Sequence, residues 1–308
     1  MDELYQKYIE IYHKEIVPSV KIFENKRIKL KRQIDSFFKI IYPLEIILYI
    51  FLCIKIPSFE CRWIVILGLF LFFFSFPGII VYFLQKNFEN KVKSFVMPLM
   101  LKPFGNFKWI NSKSEELVTK EDINKSGMLY RTNFIQKSDD DKFIGKYKDI
   151  QIKICETNIS AGKHNDFTGL LVLLEIPKNF SGHTLICGNN PLCKQNPNNI
   201  GMKINLESID FNDKFHVFST DQVEARYIIT PSFMERFINL TKIFGPYICG
   251  YFYENNKVLI TIQSLEVLDF FSIGNIKKTM ADKEQFIRFF NEFYAILSII
   301  DELKLYCK

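Results

Sequence analysis

The chain has 308 residues, 48% of them hydrophobic and 24% charged, with a formal net charge of +6; this composition excludes a disordered tail, a collagen-like repeat and a bare polytopic channel. Residues 1–95 hold 14 Lys+Arg against 9 Asp+Glu, leaving 26 against 25 for residues 96–308. The larger part is thus too neutral for a nucleic-acid domain, which needs a strongly basic face, and no nucleic-acid partner is expected.

Residues 1–36 form the first segment. Leu4, Tyr8, Ile11, Tyr12 and Ile16 recur at three and four residues, the spacing of an amphipathic helix, which is expected to end near Pro18 and give way to a basic stretch from Lys21 to Arg32. Residues 37–84 then read as a transmembrane hairpin. The run 63–84 holds 22 residues without a charge, which at 1.5 Å each reaches roughly 33 Å and covers a hydrocarbon core of about 30 Å. The run 37–54 is shorter and contains Lys39 and Glu45. Pro57 and Ser58 supply the turn between the two. Cations cluster before the first run (Lys21, Lys26, Arg27, Lys29, Lys31, Arg32) and after the second (Lys86, Lys91, Lys93), so both termini are expected on the cytoplasmic side.

A carboxylate inside a span is costly and draws a functional hypothesis by default. Rise arithmetic puts Glu45 and Ser75 at similar depths, and Pro77 frees the Phe73 carbonyl nearby. Glu45 and Ser75 are therefore expected to form an intramembrane polar contact that pairs the helices or holds a homo-oligomer, with ion or proton handling as the lesser reading. Helical spacing of Phe88, Val92, Phe95 and Val96 carries a juxtamembrane helix over residues 85–100, with Met97 as its last residue before Pro98.

Residues 101–308 read as an α+β domain with mainly antiparallel pairing. Strands are expected at Phe143–Tyr147, Ile150–Asn158, Thr168–Ile176, Thr184–Cys187, Lys203–Glu207, Phe215–Ser219, Tyr247–Tyr253 and Lys257–Gln263, the last two joined by a turn at Glu254-Asn255-Asn256. Thr230 and Pro231 open a helix closed by Gly245-Pro246, and a final helix runs from Asp282 to Leu305 with Phe286, Phe289, Phe290, Phe293, Leu297 and Ile300 as its buried stripe.

Nucleotide-loop, zinc-protease and serine-hydrolase motifs are all absent, and no cofactor is implied. The seven cysteines are scattered and odd in number, which reads as mostly free thiols in a reducing compartment. His183, Cys187 and Cys193, with Cys155 or His216 as a fourth group, match no standard zinc spacing, so no metal site is expected. The densest polar cluster is Ser219–Pro231. There Asp221 and Glu224 fit a capping box, and Arg226 has the fork to pair with either acid. Arg226, Asp221, Glu224 and His216 are the candidate ligand-binding residues, set against a purely structural network joining a strand to a helix; no catalytic residue is assigned.

The same stretch carries a family likeness. Phe167, Gly169 and Leu170, then Phe180, Gly182 and Thr184, then Asp221, Glu224, Ala225, Arg226 and Tyr227, with the opening Tyr12–Val20, resemble the bacterial membrane family catalogued as domain of unknown function 3137. The Cys187–Pro197 insertion departs from that pattern. The resemblance implies two transmembrane helices ahead of a cytosolic domain in the bacterial inner membrane. It brings no activity, substrate or catalytic residue, and its partners extend to an association with membrane proteins of the LemA type. The expected function is a membrane-anchored scaffold whose cytoplasmic domain binds a protein or ligand; the alternative is a membrane-tethered enzyme acting on a lipid or small anion.

Overall fold

The computed structural model describes residues 2–55, 62–111, 115–128, 136–160, 166–188, 200–253, 255–264, 270–271, 273–274, 276 and 278–304. The chain divides into two compact units, one of residues 1–9, 100–271 and 284–308, the other of residues 10–99 and 272–283.

Helix α1 (Asp2–Ile11) does not stop at Pro18 as its sequence predicts. A π-helical turn over Tyr12–Ile16, closed by the Val17 N–H on the Tyr12 carbonyl, leads straight into α2 (Val17–Lys55). The widened turn relieves the clash a proline ring makes with the carbonyl four residues earlier, so the helix absorbs Pro18. Helix α3 (Arg62–Leu101) likewise runs past Met97 and through Pro98. Burial of Val96, Met97, Met100 and Leu101 holds that last turn against the one hydrogen bond proline forfeits. Phe23 meets Phe95 (ring centroids 5.7 Å apart), and Ile34 shares a buried cluster with Val81 and Ile276. These contacts set α2 and α3 antiparallel. Among the described residues no helix is long and apolar enough to cross a membrane. The side chains of residues 62–66 and 69–74, within the run 63–84, and the turn at Pro57 and Ser58 lie outside the described residues.

The other unit is built on a single nine-stranded antiparallel sheet. In chain order come β1 (Lys108–Ile110), α4 (Lys120–Ser126), β2 (Gln136–Tyr147), β3 (Ile150–Ser160), β4 (Phe167–Phe180), β5 (Thr184–Cys187), β6 (Met202–Ile204), α5 (Ile209–Lys214), β7 (His216–Ser219), α6 (Gln222–Ile228), α7 (Pro231–Phe244), β8 (Ile248–Tyr253), β9 (Asn255–Gln263) and α8 (Lys283–Lys304). The order across the sheet is β1-β2-β3-β4-β9-β8-β5-β7-β6. The α+β class and the antiparallel pairing are thus as the sequence reads.

The expected strand over Lys203–Glu207 is cut to three residues. The Asn212 side chain accepts from the Leu206 N–H (3.1 Å) and donates to the Leu206 carbonyl (2.7 Å), which turns the chain into α5 under a Ser208 cap. Glu254, in the expected β8–β9 turn, lies outside the described residues.

One face of the sheet packs Cys155, Phe167, Leu171, Leu173, Tyr251 and Leu259 against Leu117, Val118, Ile123 and Met128 around α4. The other face carries the two best-predicted helices. On α7, capped by Thr230, Phe233 meets Phe252 at a tilt (ring centroids 6.0 Å apart) and Phe237 lies over Gly250, where a Cβ would come within 3.3 Å of its ring. On α8, Phe289 and Phe293 pack on Phe143 and Phe271, and Phe290 on Phe104. The six stripe residues foreseen on α8 are all buried. Tyr8 of α1 closes this layer, donating its hydroxyl to the Phe286 carbonyl at 2.8 Å.

Candidate functional site

The polar cluster lies where β7 hands over to α6. Asp221 caps α6 by accepting the Val223 and Glu224 N–H groups, each at 3.0 Å. The expected capping box is only half made. Glu224 turns away from the Asp221 N–H and accepts the Ser181 and Gly182 amides in the β4–β5 turn, both at 2.7 Å. The Asp221 N–H donates instead to Ser219 Oγ at 3.1 Å, and Ser219 Oγ is 2.8 Å from Thr184 Oγ1. Thr220 completes the join: its Oγ1 accepts the His183 N–H (2.8 Å) and its N–H donates to the His183 carbonyl (3.1 Å). Gly182 permits this approach, since a Cβ there would meet Asp221 Cβ and Thr220 Oγ1 at 2.9 Å.

Two carboxylates are therefore spent on backbone amides, which fixes the β4–β5 turn against α6. Arg226 pairs with neither. Two residues from Glu224 on a helix it points the opposite way, and it binds Glu207 at 3.0 Å, with side chains 45% and 62% exposed. His216 is exposed at the start of β7, in register with Cys187. The four nominated residues thus split into a structural lock, Asp221 and Glu224, and an outward pair of sites, Arg226 and His216. Glu207, the acid that Arg226 takes, was missed because its partner lies 19 residues away with no local spacing to signal it. On the same segments Ile209, two residues from Glu207, and Val223 and Tyr227, flanking Arg226 on α6, are exposed, as is Met202 of β6.

His183 donates from Nε2 to the Ser126 carbonyl at 3.0 Å, and burial, only partly offset by that bond, holds its pKa below the ordinary histidine value. Cys155 and Cys249 are free and buried, and burial pushes both thiols up to about 12. Cys187 departs from the free-thiol expectation: it is disulfide-bonded. Cys193 lies outside the described residues. Among the described residues no group of three or more His, Cys, Asp or Glu side chains is placed to hold a metal ion.

The β4–β5 turn and α6 fall inside a family match. The model of the family described as "Protein of unknown function (DUF3137)" matches residues 165–305. Residues 165–305 are thus similar to the DUF3137 family. Its motif residues converge, since the Gly182 turn and the Asp221–Tyr227 helix are the two halves of the lock. No curated protein matches the chain. Among solved structures, the crystal structure of the mycobacterial trehalose monomycolate transport factor A, TtfA, is similar at 11% identity and a TM-score of 0.31, with 67% of this chain and 92% of that chain covered. At that TM-score the likeness carries no argument about this chain.

In the helical unit, Arg27 is buried rather than a surface cation. It pairs with Glu24 (2.7 Å) and donates to the Ile276 carbonyl (2.8 Å), while Glu24 accepts the Met280 N–H (2.9 Å) and the Thr279 hydroxyl (3.3 Å). The pair staples Ile276, Thr279 and Met280 to α2. The Arg27 hydrogen bond outweighs partial burial and holds the Glu24 carboxyl below its ordinary value. Glu45 is 7% exposed, and its Oε2 has no hydrogen-bond partner. Ser75 is exposed. The antiparallel contacts of Phe23 with Phe95 and of Ile34 with Val81 put Ser75 level with residues 40–43, about a turn short of Glu45.

Proposed function

We propose that the protein is a membrane-anchored binding module: the helical hairpin over residues 37–54 and 63–84 sits in the bilayer, both termini face the cytoplasm, and the α+β domain presents a docking face beside the membrane. One observation carries the reading. Along the 37–54 run of α2 the usual burial pattern is inverted, with Ile40, Leu44, Ile47, Ile50, Phe51 and Ile54 all turned outward and the run's single carboxylate, Glu45, turned inward. Ile79, Ile80, Phe83 and Leu84 of α3 are exposed in the same way. Water penalises such a surface and lipid does not. The exposed Val223 and Tyr227 beside Arg226 on α6, and Ile209 two residues from Glu207, support a protein partner on the domain.

Alkaline carbonate extraction of membranes containing the full chain tests the anchor. Retention in the pellet is expected; release into the supernatant would end the reading. A photo-crosslinking residue at Tyr227 tests the partner. A discrete adduct lost in Val223→Glu is expected, and an unchanged or absent adduct would remove the docking face.

A further inference from the structure

Asn25, Ile28, Lys29, Arg32, Gln33 and Ser36 line a groove of about 720 Å³. Their spacing of three, four, seven, eight and eleven residues from Asn25 is a continuous stripe along one side of α2. It is the side opposite Arg27 and Ile34, which turn toward the Ile276–Met280 segment and Val81. All but Ile28, which is half-buried, are exposed.

The chemistry of this stripe is one-sided. A guanidinium, an ammonium, two amides and a hydroxyl face the groove, and among the described residues no carboxylate lines it. Such a set is complementary to a phosphate, which a guanidinium grips with two parallel N–H bonds and an ammonium neutralises as a point charge. Its height is equally specific. Ser36 is the last residue before the apolar run that opens at Phe37. Arg32 therefore lies about 7 to 8 Å below the start of that run and Lys29 about 10 to 12 Å, the depth of the headgroup layer once the long side chains reach upward.

We propose that this groove binds the phosphate headgroup of an anionic phospholipid of the surrounding bilayer, with Arg32 as the bidentate contact, Lys29 as the neutralising charge, and Asn25, Gln33 and Ser36 bonding headgroup oxygens. The inference rests on the membrane-anchored reading and adds a lipid class and named contacts to it.

Native mass spectrometry of the full chain in a mild uncharged detergent, with equimolar phosphatidylglycerol and phosphatidylcholine, tests it. Phosphatidylglycerol adducts are expected to exceed phosphatidylcholine adducts by roughly tenfold. Lys29→Gln with Arg32→Gln is expected to abolish the excess, and Lys21→Gln with Lys31→Gln, which removes equal charge elsewhere on α2, is expected to keep it. Equal adducts in the wild type, or an excess that survives the first double variant, overturns the groove. Displacement of the lipid by millimolar inorganic phosphate also overturns it, because the site then takes a soluble anion. Carbonate extraction of the same wild-type chain separates the two claims: a protein that stays in the membrane yet shows no lipid preference loses the groove alone, and one that is released loses both.

Discussion

Glu224 and Arg226 stand two residues apart in one motif and differ in what their charges do. Glu224 accepts two backbone amides at 2.7 Å across 42 and 43 residues of chain, whereas Arg226 holds one exposed acid. Hydrogen bonds to a charged group are worth about 1.5 to 3 kcal/mol when sheltered and less at a half-exposed site, so Glu224→Ala is expected to cost about 1 to 2 kcal/mol in denaturant unfolding. Arg226→Ala is expected to stay within about 0.5 kcal/mol, the ordinary worth of an exposed pair. Equal losses for the two would mean that Arg226 is engaged as firmly as Glu224. His183 adds a pH dependence with a definite sign. Its folded pKa is depressed by burial, so the stability it confers is fully present above the unfolded histidine value of about 6.5 and is lost as pH falls through that value toward the folded pKa. The difference in unfolding free energy between the wild type and His183→Asn is expected to shrink on going from pH 7.5 to pH 5; a flat difference would show that the imidazole gains nothing by remaining neutral.

At the scale of elements, sequence was most legible where a single period or a single cap decides the outcome. The Thr230 cap, the Gly245 stop and the phenylalanine stripe of α8 are local patterns, and the structure repeats them. It was least legible where a distant group overrides a local rule. The capping box at Asp221 formed only one of its two bonds because two amides of the β4–β5 turn compete for Glu224; Arg27 looked like another flanking cation, yet the Ile276 carbonyl and Glu24 bury it. Prolines 18 and 98 were over-read as helix ends because widened turns and buried neighbours can carry a helix past them. The staple yields a prediction of its own. Arg27→Ala strands Glu24 with partial burial and removes the donor to Ile276, at a cost of about 2 kcal/mol. Since the Met280 amide hydrogen-bonds to Glu24, its hydrogen exchange is expected to quicken in the variant while the amides of β8 and β9 stay unchanged. Uniform acceleration would assign Arg27 to global stability and dissolve the staple as a separate element.

For the molecule as a whole, Glu45 sets the anchor against the fold. A carboxylate 7% exposed, with Oε2 unpartnered, costs free energy in any apolar surrounding, and the outward apolar faces of α2 and α3 offer no compensation within the described residues. If its only role is to fill space between helices, Glu45→Leu replaces a buried polar group with packing and is expected to raise the thermal resistance of the detergent-solubilised chain by about 1 to 3 kcal/mol, with its oligomeric state unchanged. Circular dichroism melts paired with light scattering would measure both quantities. A variant that melts earlier and falls from oligomer to monomer would instead make Glu45 the polar contact between copies, since the bond lost would be one made across the interface.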